Sequence, residues 1–109
     1  MVYQKTQFIK SRKHLQYVSE QPCVLCQKID VQSAHIRYAG AGMGLKPCDS
    51  FTVPLCLEHH AEQHRMNERM FWQLYKKDPL VIAFMLCLES PDKKIKSNAF
   101  KKFAQFFDK

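Results

Sequence analysis

The side chains with the most chemistry to offer lie in one stretch, Cys56-Leu57-Glu58-His59-His60-Ala61-Glu62-Gln63-His64, with one of the five cysteines and three of the five histidines. If a helix begins near Leu57, each residue turns about 100°, so His60 and His64 point the same way and His59 points elsewhere. His59 follows Cys56 by three residues and can close back on that sulfur. The stretch therefore divides into Cys56/His59 for one metal ion and His60/His64 for another.

The first half-site has a partner earlier in the chain. Cys23 and Cys26, in Pro22-Cys23-Val24-Leu25-Cys26, offer two more thiolates from a tight knuckle. Three sulfurs and one imidazole make a closed tetrahedral set of the structural zinc type. Cys48 could replace one ligand, and Cys87 reads as a buried, unliganded thiol. A redox Cys-x-x-Cys would need a thioredoxin-like βαβ pattern, which does not surround this one.

His60 and His64 alone could be a solvent-facing pair on a basic protein. Their chemistry becomes sharper with His35, at the end of a strand expected to pack on their helix. Imidazole titrates near neutral pH and can deprotonate a water that attacks a phosphodiester in line. A divalent ion on His60 and His64, Mg²⁺ or another, would stabilise the charge developing on the phosphoryl group and the leaving oxygen. Arg37 could clamp the phosphate or be a surface charge. Asp49 could ligate the metal, orient the His35 ring, or be a turn residue.

The elements that must position these groups follow from the pattern. Ser11 caps a short helix that buries Leu15 and Val18 and stops before Pro22. Residues 29–36 alternate as a strand ending near His35, and Gly40, Gly42 and Gly44 make a loop running to Lys46-Pro47. Phe51-Thr52-Val53 reads as an antiparallel second strand ended by Pro54. The helix from Leu57 runs to Lys77 with Phe71, Leu74 and Tyr75 on its apolar face. Asp78-Pro79 caps a deeply buried helix over Leu80–Leu88, and a last helix turns Ile95, Phe100, Phe103 and Phe107 inward.

A chain of 109 residues makes one domain with a modest core, for which a structural metal is useful. The net charge of +7 and pI near 9.3 point to a polyanion, nucleic acid first. Lys10, Arg12 and Lys13 in a basic arm, Lys46 in the loop, and Lys101 and Lys102 at the other end are the candidate phosphate contacts, with Arg37. Neutralising Lys101 and Lys102 should weaken DNA affinity and flatten its salt dependence. No apolar block in the first residues has the length of a signal-peptide core, and the longest apolar run is far below the ~20 residues of a membrane span. The expected setting is the cytoplasm, where paired cysteines favour metal over disulfide.

In order and spacing, Cys23-x-x-Cys26, Ala34-His35-Ile36-Arg37, Gly42-Met43-Gly44-Leu45-Lys46-Pro47, Asp49, Pro54-Leu55-Cys56, His59-His60 and His64 resemble the HNH (ββα-metal) endonucleases. They resemble above all the phage and prophage members that include the recombination-enhancement-function (Ref) type. The match covers about residues 22–65. It implies an α+β fold: a small ββα-metal core with a zinc knuckle (about residues 22–78), preceded by a basic arm and helix (1–21) and followed by helices (79–109). It also implies DNA cleavage with His35 as base, His60 as the final metal-binding histidine and His64 added by a His-x-x-x-His variant. Ala34 stands where many members carry an acidic ligand, and the motif's central Asn is missing, with Asp49 near its place.

The expected function is thus a metal-dependent DNA endonuclease of phage or prophage origin in a bacterial host, processing recombination intermediates or single strands, with a protein partner open. The competing expectation is a non-catalytic zinc-stapled module that binds nucleic acid through its basic flanks. A secreted nuclease toxin would share the chemistry but needs delivery domains.

Overall fold

The computed structural model describes residues 10–38 and 48–107. Residues 1–9, the glycine loop with Lys46, and the last two residues lie outside them. Among the described residues the fold is α+β, with a two-stranded antiparallel sheet and six helices. The order is α1 (Arg12–Ser19), β1 (Val31–His35), β2 (Thr52–Cys56), α2 (Leu57–Arg65), α3 (Glu68–Tyr75), α4 (Pro79–Leu88), α5 (Lys93–Ser97) and α6 (Ala99–Phe107). No helix is long and apolar enough to cross a membrane.

Ser11 caps α1 as its residue type predicts, its hydroxyl accepting from the His14 N–H at 3.0 Å. The buried face differs from the expected one. His14 and Val18 are enclosed, and Leu15 is half-buried.

β1 ends at His35, and its register with β2 runs from Val31 opposite Cys56 to His35 opposite Thr52. Pro54 does not end β2 but sits inside it, opposite Ser33. The Ile36 N–H donates to Phe51 C=O, so hydrogen-bonded pairs alternate as 36/51, 34/53 and 32/55. Ser33/Pro54 therefore falls on a non-hydrogen-bonded pair, where the ladder asks no N–H of the proline. Every residue of β2 is buried, and its last residue, Cys56, is also the N-cap of α2.

The helix expected from Leu57 to Lys77 is broken. Met66 takes an extended conformation, and Asn67 caps a new helix by accepting from the Met70 N–H at 3.2 Å. An Asn that can satisfy the free N–H groups of a first turn favours a restart over continuation. α3 buries Glu68, Phe71 and Trp72, while Leu74, expected inward, is 60% exposed.

Asp78-Pro79 opens α4 as predicted, with Asp78 accepting from the Leu80 N–H. Its burial is one-sided: Leu80, Ala83 and Cys87 are enclosed, whereas Val81 and Met85 are exposed. The last helix is likewise two, α5 and α6, parted at Asn98. Ile95 and Phe103 are fully buried, but Phe100 and Phe107, expected inward, are exposed. The core joins the sheet to the helices: Phe103 packs edge-on to Phe51 with centroids 4.9 Å apart, in one cluster with Val53, Leu55, Phe71 and Ala83.

Candidate functional site

The knuckle comes to β2 through backbone hydrogen bonds. The Val24 N–H donates to the Pro54 carbonyl at 3.1 Å, and Cys23 and Lys28 close the turn with a 2.8 Å bond. Gln27 adopts φ 68°, the left-handed conformation that lets so tight a turn reverse. Because Cys56 starts α2, its sulfur and the His59 ring one turn on face the knuckle.

The four side chains read as a zinc set, Cys23, Cys26, Cys56 and His59, bring their ligand atoms within 4.8 Å of one another. The separations are 3.7 Å for Cys26 Sγ to Cys56 Sγ, 3.7 Å for Cys23 Sγ to His59 Nδ1, and 3.2 Å for Cys56 Sγ to His59 Nδ1. A tetrahedral ion with ordinary Zn–S and Zn–N bonds sets its ligands about 3.8 Å (S···S) and 3.5 Å (S···N) apart. The group could hold a metal ion such as zinc. Burial raises the Cys23 thiol, but N–H groups of Cys56, Leu25 and Cys26, with the His59 ring, outweigh it and lower its pKa to about 6. The Leu25 N–H lies 3.5 Å from that sulfur, the kind of contact that favours thiolate. Tyr75 meets the His59 ring edge-on at 5.4 Å and donates its hydroxyl to Glu62.

Cys48 is not part of this group. It is buried with its sulfur 3.4 Å from the Lys102 ammonium. Cys87, enclosed as expected, donates to Ser50 C=O at 3.3 Å, and burial pushes its thiol up to about 12.

His60 and His64 bring their Nε2 atoms to 3.2 Å. The Gln32 carbonyl, on β1, accepts from His60 Nδ1–H at 2.6 Å, leaving the His60 Nε2 lone pair turned toward His64. A partner on the other ring nitrogen is what fixes the tautomer of a ligating histidine. The His60 pKa lies below the usual histidine value, first through burial, then through His64, His35 and Arg37. Among the described residues no third Cys, His, Asp or Glu joins the two rings in a cluster.

His35 meets Asp49 with Nε2 2.9 Å from Oδ1. The other carboxylate oxygen of Asp49 accepts from the Ser11 N–H at 2.7 Å. Burial opposes ionisation of Asp49, yet His35, the Ser11 N–H and Lys10 together hold its pKa below the usual value. An ionised carboxylate only accepts, so His35 donates from Nε2–H, and in the neutral ring Nδ1 is then the acceptor. Of the roles open to Asp49 from sequence, its contacts are those of an orienting group.

Arg37 is engaged in a way its spacing did not announce. Its backbone N–H donates to buried Glu68 at 2.9 Å, its Nε lies 3.5 Å from the same oxygen, and Nη2 donates to Gln63 C=O. Gln63 is fully buried and donates to Glu68 and to the His35 carbonyl. Gln32, Gln63, Glu68 and Ser11 thus position the candidate residues, though only the Ser11 cap could be read locally. Lys10, Arg12, Lys13 and Lys101 are exposed, whereas Lys102 is half-buried against Cys48; Lys46 lies outside the described residues.

No solved structure matches the chain. A 53-residue stretch is 40% identical to the Uncharacterized protein YdfU of Escherichia coli (strain K12), covering 48% of this chain and 15% of that protein's length. The match to the family described as "Protein of unknown function (DUF968)" covers residues 1–86, most of the chain and the whole of both His/Cys constellations, and the chain belongs to that family.

Proposed function

We propose that this chain is a metal-dependent endonuclease of the ββα-metal (HNH) kind that hydrolyses DNA phosphodiester bonds, with His35 as general base. One observation carries the reading. The hairpin whose first strand ends at His35, paired to Asp49 at 2.9 Å, leads directly into the helix bearing the His60/His64 pair.

In this reading the Cys23, Cys26, Cys56 and His59 group holds zinc and staples the knuckle to the start of α2. His60 and His64 hold one divalent ion, with Gln32 orienting His60. Two imidazoles and no carboxylate suit Zn²⁺ or Ni²⁺ better than the oxygen-seeking Mg²⁺. When bound, that ion supplies Lewis-acid stabilisation of the charge developing on the phosphoryl group and the leaving 3′ oxygen.

The chain's own part is proton handling and alignment. His35 Nδ1 takes a proton from the attacking water as the new P–O bond forms and the bond to the 3′ oxygen breaks. Asp49 keeps the ring in the tautomer that exposes Nδ1 and stabilises the imidazolium that results. Arg37, tied to Glu68, offers its remaining guanidinium N–H groups to the phosphate. The biological setting would be phage or prophage DNA processing in a bacterial cytoplasm, with recombination intermediates and single strands the first substrates to try.

The test is nicking of supercoiled plasmid with each divalent ion. His35→Ala should slow nicking by about 10²–10⁴-fold. Nicking by that variant at the wild-type rate would remove His35 from the mechanism. The second reading, a non-catalytic zinc-stapled nucleic-acid-binding module, gains from the lack of a third ligand beside His60 and His64 among the described residues. Protein that binds DNA but nicks it with none of the ions decides for the module.

A further inference from the structure

A cleft of about 350 Å³ opens where the end of α3 meets the start of α4, a volume in the range of small-ligand sites. Tyr38, Arg69, Trp72, Lys76, Lys77 and Leu80 contribute to its walls. Three cations face one carboxylate, Asp78, which already accepts from the Leu80 N–H as the cap of α4. None of the three cations forms an ion pair among the described residues.

Ordinary helix electrostatics explains only part of this. Lysines at the C-terminal end of α3 are favourable to its dipole, and Lys76 forms the left-handed C-cap at φ 56°. Arg69 is in the first turn of the same helix, where a positive charge is disfavoured. It is held instead over the Tyr38 ring, 4.3 Å from the centroid. Stacking fixes the guanidinium plane and leaves its edge of N–H donors for a planar or tetrahedral anion.

The cleft is also wired to the hairpin. Tyr38 is three residues past His35, a span of at most about 11 Å. Glu68 accepts the Arg37 N–H with one oxygen and the Trp72 indole N–H, at 3.3 Å, with the other. One buried carboxylate thus holds both the end of β1 and the wall of the cleft.

We propose that this cleft seats a nucleotide of the strand that flanks the scissile phosphate. Its phosphate sits among Arg69, Lys76 and Lys77, and its sugar and base lie against Leu80 and the Tyr38 edge. The proposal rests on the nucleic-acid reading above and states where the strand runs after leaving His35.

Trp72 is the single tryptophan and forms part of the cleft wall, so all tryptophan emission arises at this wall and the core behind it. The experiment titrates the zinc-loaded chain with fluorescent oligothymidylate and with an abasic oligomer of equal length, without added catalytic ion, at several salt concentrations. The double variant Lys76→Asn/Lys77→Gln keeps a residue that tolerates the left-handed backbone. It should bind at least about 10-fold more weakly, with a log–log salt slope shallower by about 1.4, the single-strand value for two lost phosphate contacts. Arg69→Lys should lose part of the affinity although charge is kept, and wild-type Trp72 emission should respond more to the thymidylate than to the abasic strand. Unchanged affinity and slope in the double variant, with Trp72 emission indifferent to DNA, overturns the proposal. An equal response to both strands replaces the seated nucleotide with a plain phosphate patch and also overturns it. Plasmid nicking by His35→Ala, run alongside, separates the two ideas: wild-type nicking there with weakened binding by the double variant sinks the base assignment and leaves the cleft standing. Lost nicking there with unchanged binding by the double variant does the reverse.

Discussion

His14 sits fully buried on α1 with Nδ1 2.8 Å from the Ser90 hydroxyl and Nε2 4.0 Å from the Cys87 sulfur. Burial lowers its pKa from the usual 6.5, against the opposing pull of Asp49 and Asp92. The unfolded chain then takes up a proton at a higher pH than the native one. His14 therefore costs no stability above about pH 6.5, and stability falls as pH drops below it, by at most about 1.4 kcal/mol per pH unit. In His14→Gln this loss should vanish, so the two proteins' unfolding free energies at saturating zinc should converge from pH 7 toward pH 5. Parallel profiles in urea titrations would show that His14 titrates alike in both states. An apolar pattern selects Leu15 for the buried face because it ranks side chains by hydrophobicity. A histidine whose partner is 76 residues away is chosen by a hydrogen bond that no local pattern contains.

At the level of elements, the caps were readable and the covered faces were not. Ser11 and Asp78 accept from first-turn N–H groups as their types predict, whereas the cap signal at Ser90-Pro91 is realised two residues on, at Asp92, and Asn67 caps a helix start that the apolar pattern ran through. What covers α4 and α6 depends on neighbours. Phe103 is enclosed between Phe51 and Phe84, while Phe100, one turn earlier, touches Phe84 and stays 71% exposed. Phe103→Ala should therefore cost about 3–5 kcal/mol of unfolding free energy, and Phe100→Ala well under half of that. Equal losses in chemical denaturation would mean that the two rings share one environment. The same dependence on neighbours set Lys102 half-buried against Cys48 and left Lys101 exposed.

For the molecule as a whole, the knuckle and the hairpin meet through the four-ligand group and through a few backbone bonds. An ion bound there stabilises the folded chain by mass action, by about 4 kcal/mol at a thousandfold excess over its Kd. Purified protein should retain one zinc per chain, released by a thiol-modifying reagent, and chelation should lower the melting temperature. Cys26→Ser should weaken retention without emptying the core, whereas His60→Ala/His64→Ala should leave that ion in place. A chain that melts identically with and without chelator would show the cluster to be four unliganded side chains. A second link runs from His35 through Asp49 to Ser11, whose hydroxyl also meets Asp92, so α1, the hairpin and α5 converge behind the candidate base.

The ligand group, the end of β1 at His35 and the start of α2 at Leu57 were legible from residue order alone. Each half of the ligand group depends on a spacing of three residues, which acts within one turn of chain, and the ligand types themselves paired the halves across 30 to 36 positions. Tertiary structure decided that Asp49 meets His35, that Glu68 captures Arg37, that Gln32 orients His60, and that Pro54 lies within a strand. Those contacts join residues 14 to 31 positions apart or depend on strand register, and only the packing of the whole chain brings such groups together.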